Sequence, residues 1–178
     1  MAIYHLSAKV VSRTSGRSAV AAAAYRSGER LLDARTGLAH DFRARSGVVT
    51  SFIVAPADAP EWALDRQSLW SATEVHETRS NSTTAREWEA ALPDELDADQ
   101  RAALARSFAA AMVERFGVVA DCALHAPSRE GDERNHHLHI LTTTRAVDAQ
   151  GFGAKPANWT AARGAVLRSR RSARSGRT

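Results

Sequence analysis

Cysteine, lysine and aromatic residues are scarce in this chain. Cys122 is the single cysteine among 178 residues, so no disulfide can form within the chain and a disulfide-stapled secreted scaffold is excluded. Lysine occurs only as Lys9 and Lys155, which leaves Arg to carry almost all the positive charge. Aromatics make up 6%. No apolar run approaches the ~20 residues that a membrane span needs, and the N-terminus lacks the apolar centre of a signal peptide. A reducing, cytoplasmic setting is therefore expected. Ten Gly and five Pro are too few for a fibrous or low-complexity chain. What is present is 44% hydrophobic residues over a length that suits one domain, with or without a tail.

The formal charge of +4 and a pI near 10.0 invite a nucleic-acid reading, but the charge is unevenly spread. Residues 1–46 hold eight bases against three acids, and residues 47–150 hold nine against seventeen. After Asp148 there is no acid, while 151–178 carries seven bases. The basic pI is thus a property of the tail. The locally basic N-terminal segment is the better electrostatic clue.

Residues 2–12 alternate with period two and read as a strand. Arg17 to Gly28 reads as a helix built on the run Ala19–Ala24 and stopped by glycine, and 29–46 as an exposed excursion. Val48–Val54 is a short strand. Glu61 to about Arg79 reads as a second helix with Trp62, Leu69 and Trp70 on its buried side. Residues 86–92 form a strand ending at Pro93. The third helix, 97–116, has Asp97 or Asp99 as its cap, an apolar stripe of Leu104, Phe108, Met112 and Phe116, and Gly117 as its stop. Strands 118–125 and 136–145 follow, joined by the polar turn SREGDERN. This order predicts an α+β domain with a central, mainly antiparallel sheet and helices on one face. Residues 162–178, rich in Ser, Arg and Ala without hydrophobic period, read as a disordered basic tail. Trp62, Trp70 and Trp88 sit at apolar positions and are expected in the core.

Three of the seven His fall within four residues, in Asn135-His136-His137-Leu138-His139. On a strand His137 and His139 share one face and His136 points the other way. His125 ends the preceding strand, and a hairpin-like return brings it beside the pair. Three converging imidazoles suit a borderline divalent cation and leave positions open for a substrate oxygen. The alternative is a solvated histidine face. Only two tyrosines exist; Tyr25 ends the alanine run inside the basic segment, a position that by itself is ordinarily one of packing.

The stretches MAIYHLSAKVVSR, GRSAVAAAAYRSGER, REWEAALPDEL and HAPSREGDERNHHLHILTTTR together resemble the MobA/MobL (MobQ-type) conjugative relaxases, including the N-terminal region of the TraA proteins of Ti-like plasmids. The resemblance runs from residue 1 to about 155. It implies an HUH-type relaxase fold and strand-specific nicking at a plasmid origin of transfer. It makes Tyr25 the nucleophile, His125, His137 and His139 the ligands of one divalent metal, and His136 a non-ligand. The expected ion is Mg or Mn, with Zn or Ni the alternatives. Glu87 matches a motif acid that either accepts the Tyr25 proton or orients a ligand histidine, and Glu89, on the same strand face, is the fallback. Arg17, Arg26 and Arg30 are candidates for DNA-phosphate contacts. The implied partners are single-stranded or hairpin DNA at the origin of transfer, with relaxosome and type IV secretion coupling proteins. A phenol ionises near pH 10, so it needs help to act as a nucleophile at neutral pH. A rolling-circle replication initiator and a truncated, non-catalytic DNA-binding module are the alternatives.

Relatives continue after the LTTTR strand into Lys-Thr-Arg-Glu-Leu-Asp and a further helix. Here Lys155 is followed by Pro156-Ala157-Asn158-Trp159-Thr160. Restoring one base after the Lys155 codon converts this, for one choice of codons, into Thr-Arg-Glu-Leu-Asp. The expected organisation is a relaxase domain over 1–155 and a frameshifted, disordered basic tail over 156–178.

Overall fold

In a computed structural model, the structure describes residues 6–127 and 134–157. Five strands form one sheet: β1 (Leu6–Ser12), β4 (Val48–Val54), β5 (Thr83–Ala91), β6 (Ala120–His125) and β7 (His137–Thr142). Their order across the sheet is β1-β5-β7-β6-β4, and every neighbouring pair is antiparallel. The strand HLHILT, apolar enough to be covered on both faces, therefore lies at the centre. The expected α+β domain with a mainly antiparallel sheet is the architecture observed.

The helices divide between the two faces, which corrects the expectation of one covered face. On one side, α1 (Ala19–Ser27) and α2 (Arg66–His76) pack with Val11, Ala85, Val119 and Leu141. On the other, α3 (Ala98–Phe116) covers Phe52, Trp88, Cys122, Leu124, Leu138 and Ile140. Residues on both faces of β6 and β7 are largely buried, and each face has its own cover.

Local sequence explains the helices well. Ser18 caps α1, accepting from the Ala21 amide, and the buried alanines let the helix lie close to the sheet. Gly28 ends it at φ 69°, and a side chain there would meet Val48. Asp97 and Gln100 form a reciprocal capping box on α3. The stripe expected on α3 is wrong in part. Leu104 and Phe108 are exposed, and Ala105, Ala109, Met112 and Val113 face the sheet. Beside Trp88 and Phe52 there is room for methyl groups at the contact, so the larger side chains lie at the margin.

Two further differences matter for the site. In place of the exposed excursion expected over 29–46 there is a hairpin, β2 (Arg30–Asp33) with β3 (Leu38–Asp41), set against α1. The second helix is split: a short 3₁₀ turn, Glu61–Leu64, precedes α2, which starts at the Asp65 cap and ends at His76. A small hairpin, β8 (Val147–Asp148) with β9 (Gly151–Phe152), closes the described chain. Of the three core tryptophans, Trp70 and Trp88 are buried and Trp62 is half-buried against Phe152. The turn SREGDERN and the tail 158–178 lie almost wholly outside the described residues.

Candidate active site

Sheet register brings the histidines together. His125 of β6 is paired with His137 of β7, and His139 lies opposite Ala123. With period two, all three imidazoles stand on one face, and small Ala123 leaves room beside His139. Their ring centroids are 4.6–5.3 Å apart, and one nitrogen from each lies within 4.8 Å of the others. His136 stands apart, 4.0 Å from Asp94.

The nitrogens are arranged for ligation. His125 Nε2 lies 2.8 Å from the Arg26 carbonyl oxygen, an acceptor, so Nε2 carries the proton and Nδ1 the lone pair. His137 Nδ1 is likewise held by the Asn135 carbonyl at 2.9 Å, which leaves Nε2. His139 Nδ1 is buried without a hydrogen-bond partner among the described residues. Burial, then the positive surroundings of His125 and Arg26, push His139 down to about 3. His125 is also lowered, by burial first and against the pull of the Arg26 carbonyl, with Arg45 contributing. Neutral imidazoles with backbone-held second nitrogens are what a divalent cation requires. The residues therefore fit a metal, and three nitrogens suit Mn, Zn or Ni better than Mg, which prefers oxygen.

Tyr25 lies on α1 next to Arg26, the residue whose carbonyl holds His125. Its side chain is 47% exposed, unlike a packing tyrosine, and its ring meets the edge of Phe42 at 5.2 Å. A groove of about 660 Å³ runs along this face of α1, lined among others by Arg17, Tyr25, Arg35, Leu38 and His40. The β2–β3 hairpin forms its far wall. Arg45 joins Tyr25 to the histidines: its guanidinium lies 3.7 Å from the Tyr25 ring centroid and 3.5 Å from His125 Nδ1. Sequence reasoning counted Arg45 only as one base among eight; its place in the basic stretch before β4 was the available signal.

Glu87 is buried on β5, on the histidine face. Its carboxylate accepts from Arg17 at 2.7 Å and pairs with Arg26. Burial pushes its pKa up, but the hydrogen bonds and charges of Arg17 and Arg26 outweigh this and hold it below the usual range. A carboxylate so held is a weak base, which favours the orienting role over proton acceptance. Arg26, in turn, donates to the Ala22 carbonyl and carries the carbonyl that holds His125. Glu87 thus fixes the residue that fixes a histidine. Glu89 lies opposite His139 in the register.

Of the three arginines expected at DNA phosphates, Arg26 is the least exposed. At 8% exposure its side chain is turned inward and occupied by Glu87 and Ala22. Arg17 is partly exposed and lines the groove while also bound to Glu87. Arg30 is exposed at the start of β2.

The fold is an antiparallel sheet with a three-histidine cluster beneath a tyrosine-bearing helix. The chain belongs to the MobA/MobL family, whose model matches residues 17–177. It is 41% identical to the mobilization protein MobL of Acidithiobacillus ferridurans over 88% of this chain and 46% of that protein. It is 39% identical to a probable conjugal transfer protein TraA of Sinorhizobium fredii over 87% of this chain and 14% of that protein. The chain thus spans less than half the length of these relatives. It also matches a structure solved for the molecular basis of vancomycin resistance transfer in Staphylococcus aureus. That likeness has a TM-score of 0.79 at 33% identity, over 86% of this chain and 77% of the other. The relaxase fold expected from the sequence is the fold observed.

Proposed function

We propose that this chain is the transesterase domain of a conjugative relaxase, which nicks one DNA strand at a plasmid origin of transfer. The observation that carries the reading is an exposed Tyr25 on the helix whose Arg26 carbonyl also holds His125, with His125, His137 and His139 clustered on the sheet face beneath it. His125, His137 and His139 hold one divalent cation, which when bound supplies Lewis-acid polarisation of the scissile phosphate.

Tyr25 Oη attacks the phosphorus. The bond from phosphorus to Oη forms as the bond to the leaving 3′-oxygen breaks; the phenol loses its proton and the 3′-oxygen gains one. The product is a 5′-phosphotyrosyl link and a free 3′-hydroxyl. One phosphoester replaces another, so the strand can be rejoined without ATP. Glu87 and Arg26 keep His125 oriented. Arg17, at the groove, and the exposed Arg30 neutralise DNA phosphates, contributing position rather than sequence reading. Residues 1–155 carry every one of these residues; the family match runs on to residue 177, so a shifted frame from 156 onward requires homology continuing in the +1 frame of the gene. The substrate is single-stranded or hairpin DNA, in the bacterial cytoplasm, with relaxosome and secretion coupling proteins as partners.

An oligonucleotide carrying the transfer origin, incubated with protein and Mn²⁺, is expected to yield a covalent protein–DNA adduct that Tyr25→Phe abolishes. Binding without any adduct sinks the proposal and supports a non-catalytic DNA-binding module.

A further inference from the structure

Resting on the reading of the histidine triad as a metal site, we propose that Arg45 is a positioning residue that pins Tyr25 and competes with the metal cation for His125. Arg45 lies in the loop between β3 and β4. One arm of its guanidinium donates to the Tyr25 carbonyl at 3.1 Å, and its plane covers the Tyr25 ring. The other arm reaches His125 Nδ1. Because the Arg26 carbonyl occupies His125 Nε2, Nδ1 is the one ring atom of His125 left to bind a metal. The guanidinium therefore stands on a ligand lone pair.

Both competitors are positively charged, so they cannot share that nitrogen. The loop itself is anchored: the Arg45 amide donates to the Phe42 carbonyl at 2.9 Å, and Gly47 accepts from Ala126, the residue after His125. The side chain can leave while its backbone stays. Once displaced from Nδ1, a guanidinium fork beside Tyr25 is free to receive the two non-bridging oxygens of a phosphate, a geometry that suits Arg better than Lys. Metal uptake and release of Arg45 toward the DNA are then one exchange. Arg43, two residues away, is paired with Asp41 and faces solvent, which makes it the control.

Calorimetric titration of the full chain with Mn²⁺ tests this without reference to activity. Arg45→Gln and Arg45→Ala are expected to bind Mn²⁺ roughly tenfold more tightly than the unaltered chain, the worth of one hydrogen bond to a charged group and relief of like-charge repulsion. Arg45→Lys, which keeps the charge, and Arg43→Ala are expected to change affinity by less than roughly threefold. Should Arg45→Ala fail to fold, the better isostere Arg45→Gln carries the test. Unchanged or weaker binding in the neutral variants, with tight binding by the unaltered chain, overturns the role of Arg45 and leaves the metal site standing. If the unaltered chain takes up no Mn²⁺ at millimolar concentration, the metal reading falls and Arg45 falls with it.

Discussion

Replacing Glu87 by Gln separates the two roles that an acid beside the tyrosine can have. Glu87 and Arg26 are both buried, with side chains 9% and 10% exposed, whereas Arg17 is 37% exposed. Removing one partner of a buried ion pair costs about 3–5 kcal/mol, because the other charge is left without compensation. Gln keeps an acceptor oxygen and recovers part of this, so a loss of about 2–3 kcal/mol in urea unfolding is expected. The partly solvated Arg17 pair is worth less than about 1 kcal/mol. Double-mutant cycles with Arg26→Met and Arg17→Met should therefore give a coupling of about 2 kcal/mol or more to Arg26, and clearly less to Arg17. Nicking kinetics supply the second readout. If Glu87 only orients Arg26 and His125, Glu87→Gln lowers kcat/KM but leaves the position of its acidic limb unchanged. A variant as stable as the original, a larger coupling to Arg17, or loss of the acidic limb would refute the orienting role.

Two further outcomes follow from the same geometry. In chelator-treated protein, His139 and His125 have pKa values below that of a free imidazole, so the unfolded chain binds more protons as pH falls below about 6.5. Stability should therefore be fully present above that pH and decline on acidification, by up to about 1.4 kcal/mol per pH unit for each histidine. Denaturant titrations between pH 6.5 and 5 read this before the carboxylates protonate; a flat profile there would exclude the burial argument. Gly28→Ala forces a left-handed residue at the end of α1 and sets its Cβ 3.3 Å from Val48 Cγ2. A loss of about 1–2 kcal/mol in thermal or urea unfolding is expected, and an unchanged midpoint would contradict the strain assigned to that turn.

Much of the site was legible from local pattern. Alternation puts His137 and His139 on one strand face, and a polar turn between two apolar runs returns His125 to their side. Caps and stops at Gly28, Asp97 and Gly117 mark helix ends, because each answers a backbone demand within four residues. Where pattern failed, the deciding contact came from far along the chain. Leu104 and Phe108 look like a buried stripe, but the space beneath α3 is set by Trp88 and Phe52 on strands that the helix sequence does not encode. The hairpin Arg30–Asp33 with Leu38–Asp41 was read as an excursion, since its exposed Leu32 and Leu38 blur the alternation.

Charge was least legible of all. Arg17, Arg26 and Arg45 are equivalent letters in a basic segment, and sequence ranks none above the others. Glu87 lies 61 residues beyond Arg26, and the pairing of β1 with β5 under α1 brings that carboxylate to it. The same packing turns Arg26 inward, leaves Arg17 at the groove and lays Arg45 between the tyrosine and His125. Residue types and short-range spacing thus determined which groups are available for chemistry. Tertiary packing decided which charges are spent holding the site together and which remain free, because an ion pair forms through space and leaves no period in the sequence.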